Sequence, residues 1–253
     1  MRQDERAPFV SALEGARRAA YPPGEYVGQE SFMTTRGIRE LARHARIGAG
    51  TSVLDVCCGV AGPGRLITAE TGCRYLGVDY SASALEIARA LAGTLPCRFE
   101  QACAPPLPDG RFDVVLLLET MLAFADKAAL LAEVARVLQP GGRFACTVEA
   151  GRPLTPSERA AMPDADTVWL IELADLTALL DEAGLTVTWQ RECTAAHQAT
   201  AAGLLHSFHT QSDQLADQLG ARAVAELITS HRLWRDWLGR GRVRKFALVA
   251  VRR

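Results

Sequence analysis

Seven short apolar runs, separated by segments of helical periodicity, constrain this chain more than any other feature. They read SVLDVC (52–57), RYLGVD (74–79), CRFEQA (97–102), FDVVLLLE (112–119), GRFACTVEA (142–150), LTVTWQRE (185–192) and KFALVAVR (245–252). The middle runs are unbroken rather than alternating, which suits strands covered on both faces. Helical patterns fall at about 63–71, 82–92, 126–138 and 173–183, the last capped by Gly184. Alternation of strand and helix in this manner predicts an α/β fold, a doubly wound sheet that is mostly parallel.

In such a sheet, ligands bind beyond the carboxyl ends of the strands. The first run ends in VLDVCCGVAGPG, residues 53–64, where an acid precedes a cluster of small residues that opens a helix. Small residues let the backbone approach a ligand, and the helix start offers free N–H groups. Asp79 ends the second run, where a carboxylate can accept ribose hydroxyls. The turn lacks the G-x-G-x-x-G pattern of a pyrophosphate site. Asp55 beside a pyrophosphate would be repulsive, whereas it suits a cofactor that carries a positive amino group. That favours S-adenosylmethionine over a dinucleotide.

On these residues the chain resembles the class I S-adenosylmethionine-dependent methyltransferases. VLDVCCGVAGPG is similar to the D-x-G-x-G-x-G motif of that family, and YLGVDYSASALEIARA (75–90) to its second strand and following helix. DGRFDVVLLLETMLAF (109–124) matches the fourth strand, and EVARVLQPGGRFACTVEA (133–150) the turn into the fifth. The resemblance implies a Rossmann-like seven-stranded sheet, order 3-2-1-4-5-7-6, with strand seven antiparallel. It implies that Asp55 and the backbone near Cys57 and Gly59 hold the methionine end of the cofactor. Asp79 would hold the ribose, Tyr80 and the backbone of Ala104 would border the adenine, and the Leu118 carbonyl would meet the amino group. Three positions depart from the pattern. Cys57 and Ala61 replace motif glycines, and Cys103 stands where an adenine-binding aspartate is common.

The domain is expected to span 1–253, with an N-terminal helical lid (8–46) and a helical cover between the last two strands (195–240). Tyr26 and Gln29, in the loop YPPGEYVGQESF, are candidates for cofactor or acceptor contact. Leu122 and Ala123 occupy places where the family often has histidines, so a loop histidine is missing as general base. Glu119, Glu149 and the cover-helix residues His206 and His209 remain as candidate bases, with Met121, Leu122 and Phe124 as an apolar wall. His231 lies on an apolar stripe and is expected in the core. The expected activity is methyl transfer to a small-molecule acceptor of natural-product type, at nitrogen or carbon in preference to oxygen. The alternative is a methyltransferase-like fold that uses the cofactor for cyclisation or intramolecular displacement.

Net charge is −1 over 253 residues, which leaves no electrostatic footprint for nucleic acid. The polar start MRQDERAPFV is unlike a signal peptide and no apolar run reaches membrane-spanning length, so a cytoplasmic protein is expected. None of the seven cysteines forms a C-x-x-C pair, so buried thiols and no metal are expected. A homodimer remains open at this level.

Overall fold

The computed structural model describes residues 6–253, with side chains from residue 12 onward. Seven strands form one sheet: β1 (Ser52–Val56), β2 (Arg74–Asp79), β3 (Cys97–Gln101), β4 (Phe112–Leu117), β5 (Leu138–Ala150), β6 (Leu185–Glu192) and β7 (Arg244–Arg252). Their order is β3-β2-β1-β4-β5-β7-β6, and β7 runs antiparallel to both β5 and β6. The fold expected from the sequence is the fold observed. Helices α1 (Arg6–Ala20) and α2 (Thr35–His44) precede the sheet, and α3 (Gly62–Thr71), α4 (Ala82–Ala92) and α5 (Lys127–Val137) connect its strands. After β5 come α6 (Pro156–Ala161) and α7 (Leu173–Glu182), and between β6 and β7 lie α8 (Thr194–Thr210), α9 (Ser212–Leu219) and α10 (Ala221–Gly239).

Strand periodicity explains the two cores. In β1, Leu54 and Val56 point to one face with Val115, Leu117, Phe144 and the α5 and α7 leucines. Val53 points to the other face, with Tyr75, Val114, Leu116 and residues of α2, α3 and α4. Asp55 shares that second face, so an acid enters the core by the same alternation that buries its neighbours. Local signals set the helix starts. Ser81 caps α4 by accepting from the Ala84 N–H, and Asp126 caps α5 by accepting from that of Ala129.

The region 8–46 divides in two. Helix α2 buries Ile38 and Leu41 in the sheet core, whereas the connecting loop reaches the strand ends. Helices α8–α10 pack on one another and on α1, burying Leu13, Leu204, Phe208 and Val224. A second cluster joins Trp234 and Trp237 to Met162, Val168 and Leu170, and Phe32 packs against both clusters. No helix among the described residues is long and apolar enough to cross a membrane.

Candidate active site

The turn after β1 is built from left-handed backbone. Cys57, Gly59 and Ala61 have φ of 61°, 55° and 55°. The two replaced glycines therefore keep a conformation that L-residues adopt only at a cost. The cysteine does not redirect the turn; packing around it enforces the glycine-like path. Helix α3 starts immediately afterwards with Pro63 in its first turn. Close approach makes two glycines necessary. A Cβ on Gly62 would lie 2.6 Å from the Gly28 carbonyl carbon, and one on Gly64 would lie 2.2 Å from the Tyr75 ring.

A cleft opens here at the carboxyl end of β1, enclosing about 90 Å³. Its walls are residues 28–31 of the loop between α1 and α2, Asp55, turn residues 57–63, and residues 118–120 after β4. Of the residues singled out in the sequence, the structure brings Gln29, Asp55, Cys57, Gly59, Leu118 and Glu119 to this wall. Asp55 is buried and accepts a hydrogen bond from the Tyr75 hydroxyl (2.6 Å). Burial pushes its carboxyl up, the hydroxyl partly offsets this, and the charge of Asp79 adds to it, leaving a value of about 7. The carboxylate of Asp79 accepts from the Gly59 and Ser81 N–H groups, each at 2.9 Å, which ties the end of β2 to the turn. Tyr80 is exposed and Ala104 half-buried. Asp79, Tyr80 and Ala104 do not border this part of the cleft.

Of the two candidates in the loop between α1 and α2, Gln29 lines this cleft and Tyr26 does not. The Gln29 side chain is used up by the loop itself: its carbonyl accepts from the Val27 N–H, and its amide donates to the carbonyls of Glu25 and Met33. These bonds order the loop. Tyr26 faces a neighbouring cavity between α1, α3 and α4, where its hydroxyl donates to Glu14 (2.6 Å). Tyr21 further braces that loop by donating to the Ser31 carbonyl.

The candidate bases also land in unexpected surroundings. His206 and His209 are exposed on α8, and His209 is absent from the cleft wall. His231, expected in the core and not as a base, packs edge-on against Phe32 and Phe208, and its Nδ1 meets the Leu227 carbonyl at 2.8 Å. Glu149 is buried and paired with Lys245, directly opposite it across β5 and β7. Glu119 is buried too, with one carboxylate oxygen 2.8 Å from Lys245 Nζ and 3.1 Å from His197 Nε2. Burial pushes the Glu119 carboxyl up, but the charges of Lys245 and His197 outweigh it and hold it well below the usual range. Glu149 shifts the other way, because burial and the nearby Glu119 charge exceed the pull of Lys245. Each of the two carboxylates carries an ion pair to Lys245. Lys245 and His197 escape sequence reading, because nothing in KFALVAV or CTAAHQAT marks them; only the placing of β7 beside β5, with α8 packed on β7, brings them to Glu119.

The seven cysteines are all free thiols, and Cys58 packs over Gly77, where a Cβ would lie 2.8 Å from its sulfur. No group of three or more metal-binding side chains occurs among the described residues.

A seven-stranded sheet of this order, with an acid-led turn of left-handed residues after β1 and a second acid after β2, defines a Rossmann-like methyltransferase. The methyltransferase domain family model matches residues 54–146. A probable S-adenosylmethionine-dependent methyltransferase of Mycolicibacterium smegmatis is 30% identical over 190 residues, covering 73% of this chain and 69% of that protein. Methyltransferase GfsG of Streptomyces halstedii is 29% identical over 212 residues, covering 79% and 74%. In three dimensions the chain is similar to phosphoethanolamine N-methyltransferase 2 of Haemonchus contortus, solved with S-adenosylhomocysteine. The TM-score is 0.80 at 16% identity, over 97% of this chain and 57% of that one. The chain belongs to the class I S-adenosylmethionine-dependent methyltransferases. Its cofactor is S-adenosylmethionine. The buried Asp55 and the cradle of left-handed turns suit the cationic methionine end of that molecule.

Proposed function

We propose that the chain transfers the methyl group of S-adenosylmethionine to a small-molecule acceptor with an apolar body, of natural-product type, at nitrogen or carbon in preference to oxygen. The observation that carries this reading is the commitment of both strand-end acids, Glu119 and Glu149, to Lys245. An acceptor that needs a strong base to release its proton would find none at the ends of β4 and β5. An amine attacks as its free base, and an electron-rich carbon loses its proton only after the new bond forms, so alignment does most of the work.

When bound, the cofactor supplies an activated methyl group on a sulfonium. Asp55 and the backbone of Cys57 and Gly59 would hold its methionine end, with the Leu118 carbonyl facing the amino group. Asp79 would hold the ribose, and Tyr80 and Ala104 would border the adenine. The acceptor would lie against Leu122, Phe124 and the cover helices. Support for an apolar acceptor comes from Leu122, which packs with the cluster that contains Trp234 and Trp237.

Methyl-labelled cofactor offered with a panel of amines and electron-rich carbon nucleophiles tests the reading. Label is expected in an amine or carbon product. Label on oxygen alone overturns the preference, and cofactor-dependent rearrangement of a substrate without label favours cyclisation. Asp79→Ala is expected to weaken S-adenosylhomocysteine binding by about 1–3 kcal/mol, the scale of losing hydrogen bonds to a charged group. Unchanged affinity in calorimetry would remove the ribose assignment.

A further inference from the structure

Four ionisable side chains from four elements meet in the core behind the cleft. Glu119 follows β4, Glu149 lies on β5, Lys245 on β7 and His197 in the first turn of α8. All four are buried, and one oxygen of Glu149 has no hydrogen-bond partner. The protonation of His197 follows from geometry. Its Nδ1 lies 3.0 Å from the Cys193 carbonyl oxygen and its Nε2 lies 3.1 Å from the Glu119 carboxylate. Both neighbours only accept, so both nitrogens carry hydrogen and the ring is a cation. Two cations thus converge on one oxygen of Glu119. Its other oxygen accepts from the backbone N–H of Phe32, at 3.2 Å.

That last bond joins the two sides of the cleft. Phe32 directly follows the lid residues that wall it, and Glu119 sits in the opposite wall. Glu119 also has a φ of 62°, a left-handed conformation that a glutamate keeps only when its surroundings hold it. Its own N–H is anchored by Thr147 Oγ1 at 2.7 Å. Burying such a cluster is a poor route to stability, because well-packed apolar residues serve as well or better.

We infer that Lys245 and His197 are positioning residues for methyl transfer: they clamp Glu119 so that it holds the lid, through Phe32, closed over the cofactor. The cover helix, the last strand and the lid thereby close as one unit. This rests on the cofactor reading of the cleft, but the lid can be observed without cofactor.

The experiment compares His197→Leu, His197→Gln and Lys245→Met with the unaltered chain. It reads hydrogen exchange of the amides of residues 28–33, with and without S-adenosylhomocysteine, and binding by calorimetry. His197→Leu and Lys245→Met are expected to speed lid exchange at least tenfold in the ligand-free protein, Phe32 included, while β1 and β4 stay protected. They are also expected to weaken S-adenosylhomocysteine at least tenfold. His197→Gln keeps a donor toward Glu119 and is expected to recover most of both effects. Lid exchange unchanged in His197→Leu, or accelerated equally in lid and sheet, overturns the inference. Because the histidine pair alone decides this, a Lys245→Met protein that fails to fold does not obscure the answer. If the unaltered chain binds no S-adenosylhomocysteine, the cofactor reading fails and ligand-free lid exchange still judges the clamp.

Discussion

Asp55 concentrates the conflict between folding and binding in one side chain. Its carboxyl is raised to about 7, chiefly by burial. Between about pH 4 and pH 7 the unfolded chain has lost this proton while the folded one keeps it, so its contribution to stability falls as pH rises through that window. Asp55→Asn removes the slope. The variant is expected to gain on the unaltered protein from pH 4 to pH 8, by on the order of 4 kcal/mol in denaturant titrations. It is also expected to bind S-adenosylhomocysteine more weakly, because an amide cannot answer the charge of an amino group. Cys57 presents the opposite case, a residue chosen against its backbone. Left-handed backbone costs an L-residue about 1–2 kcal/mol, and glycine returns up to about 1 kcal/mol of that as unfolded-chain entropy. Cys57→Gly is therefore expected to leave stability unchanged or raised by about 1 kcal/mol, with cofactor affinity retained in calorimetry.

At the scale of elements, the start of α3 meets both the lid and β2 without room for a methyl group. Gly62→Ala would press a Cβ into the Gly28 backbone. A loop yields more readily than a sheet, so the expected outcome is an intact fold with a displaced lid and weaker S-adenosylhomocysteine binding. Gly64→Ala drives instead against the Tyr75 ring, whose hydroxyl holds Asp55. Overpacking of this kind typically costs about 1–3 kcal/mol, which thermal unfolding would register. The two neighbouring substitutions should thus separate, one acting mainly on affinity and the other on stability.

For the whole molecule, the buried cluster sets a pH window. Burial lowers the His197 pKa, but the Glu119 charge outweighs it and the value rises to about 10. A raised histidine contributes stability that is complete below its unfolded value of about 6.5 and is lost as pH climbs through 10. Glu119, held low, contributes stability above its unfolded value and loses it toward strong acid. Denaturation midpoints followed from pH 6 to pH 10.5 are expected to fall, and His197→Gln is expected to flatten that alkaline limb. An unaltered slope in His197→Gln would show that the histidine is not the titrating group.

By itself the sequence determined the sheet, the turn and the two acids that follow β1 and β2. Each is a local matter. Strand runs declare burial by composition, as in RYLGVD and FDVVLLLE. The turn declares itself by small residues next to a helix start, and Asp55 and Asp79 sit at fixed offsets from their strands. The tertiary structure alone decided which polar groups were left for chemistry. Glu119 and Glu149 read as candidate bases at the ends of their strands. They are closed off by Lys245 and His197, which lie 126 and 78 positions beyond Glu119 in the chain. Gln29 reads as a ligand contact, and the fold sets it in the cleft wall with its side chain bonded within its own loop. Pairing between such distant residues leaves no periodic trace, because it depends on how β7 and α8 return to the end of β4 and not on any local pattern.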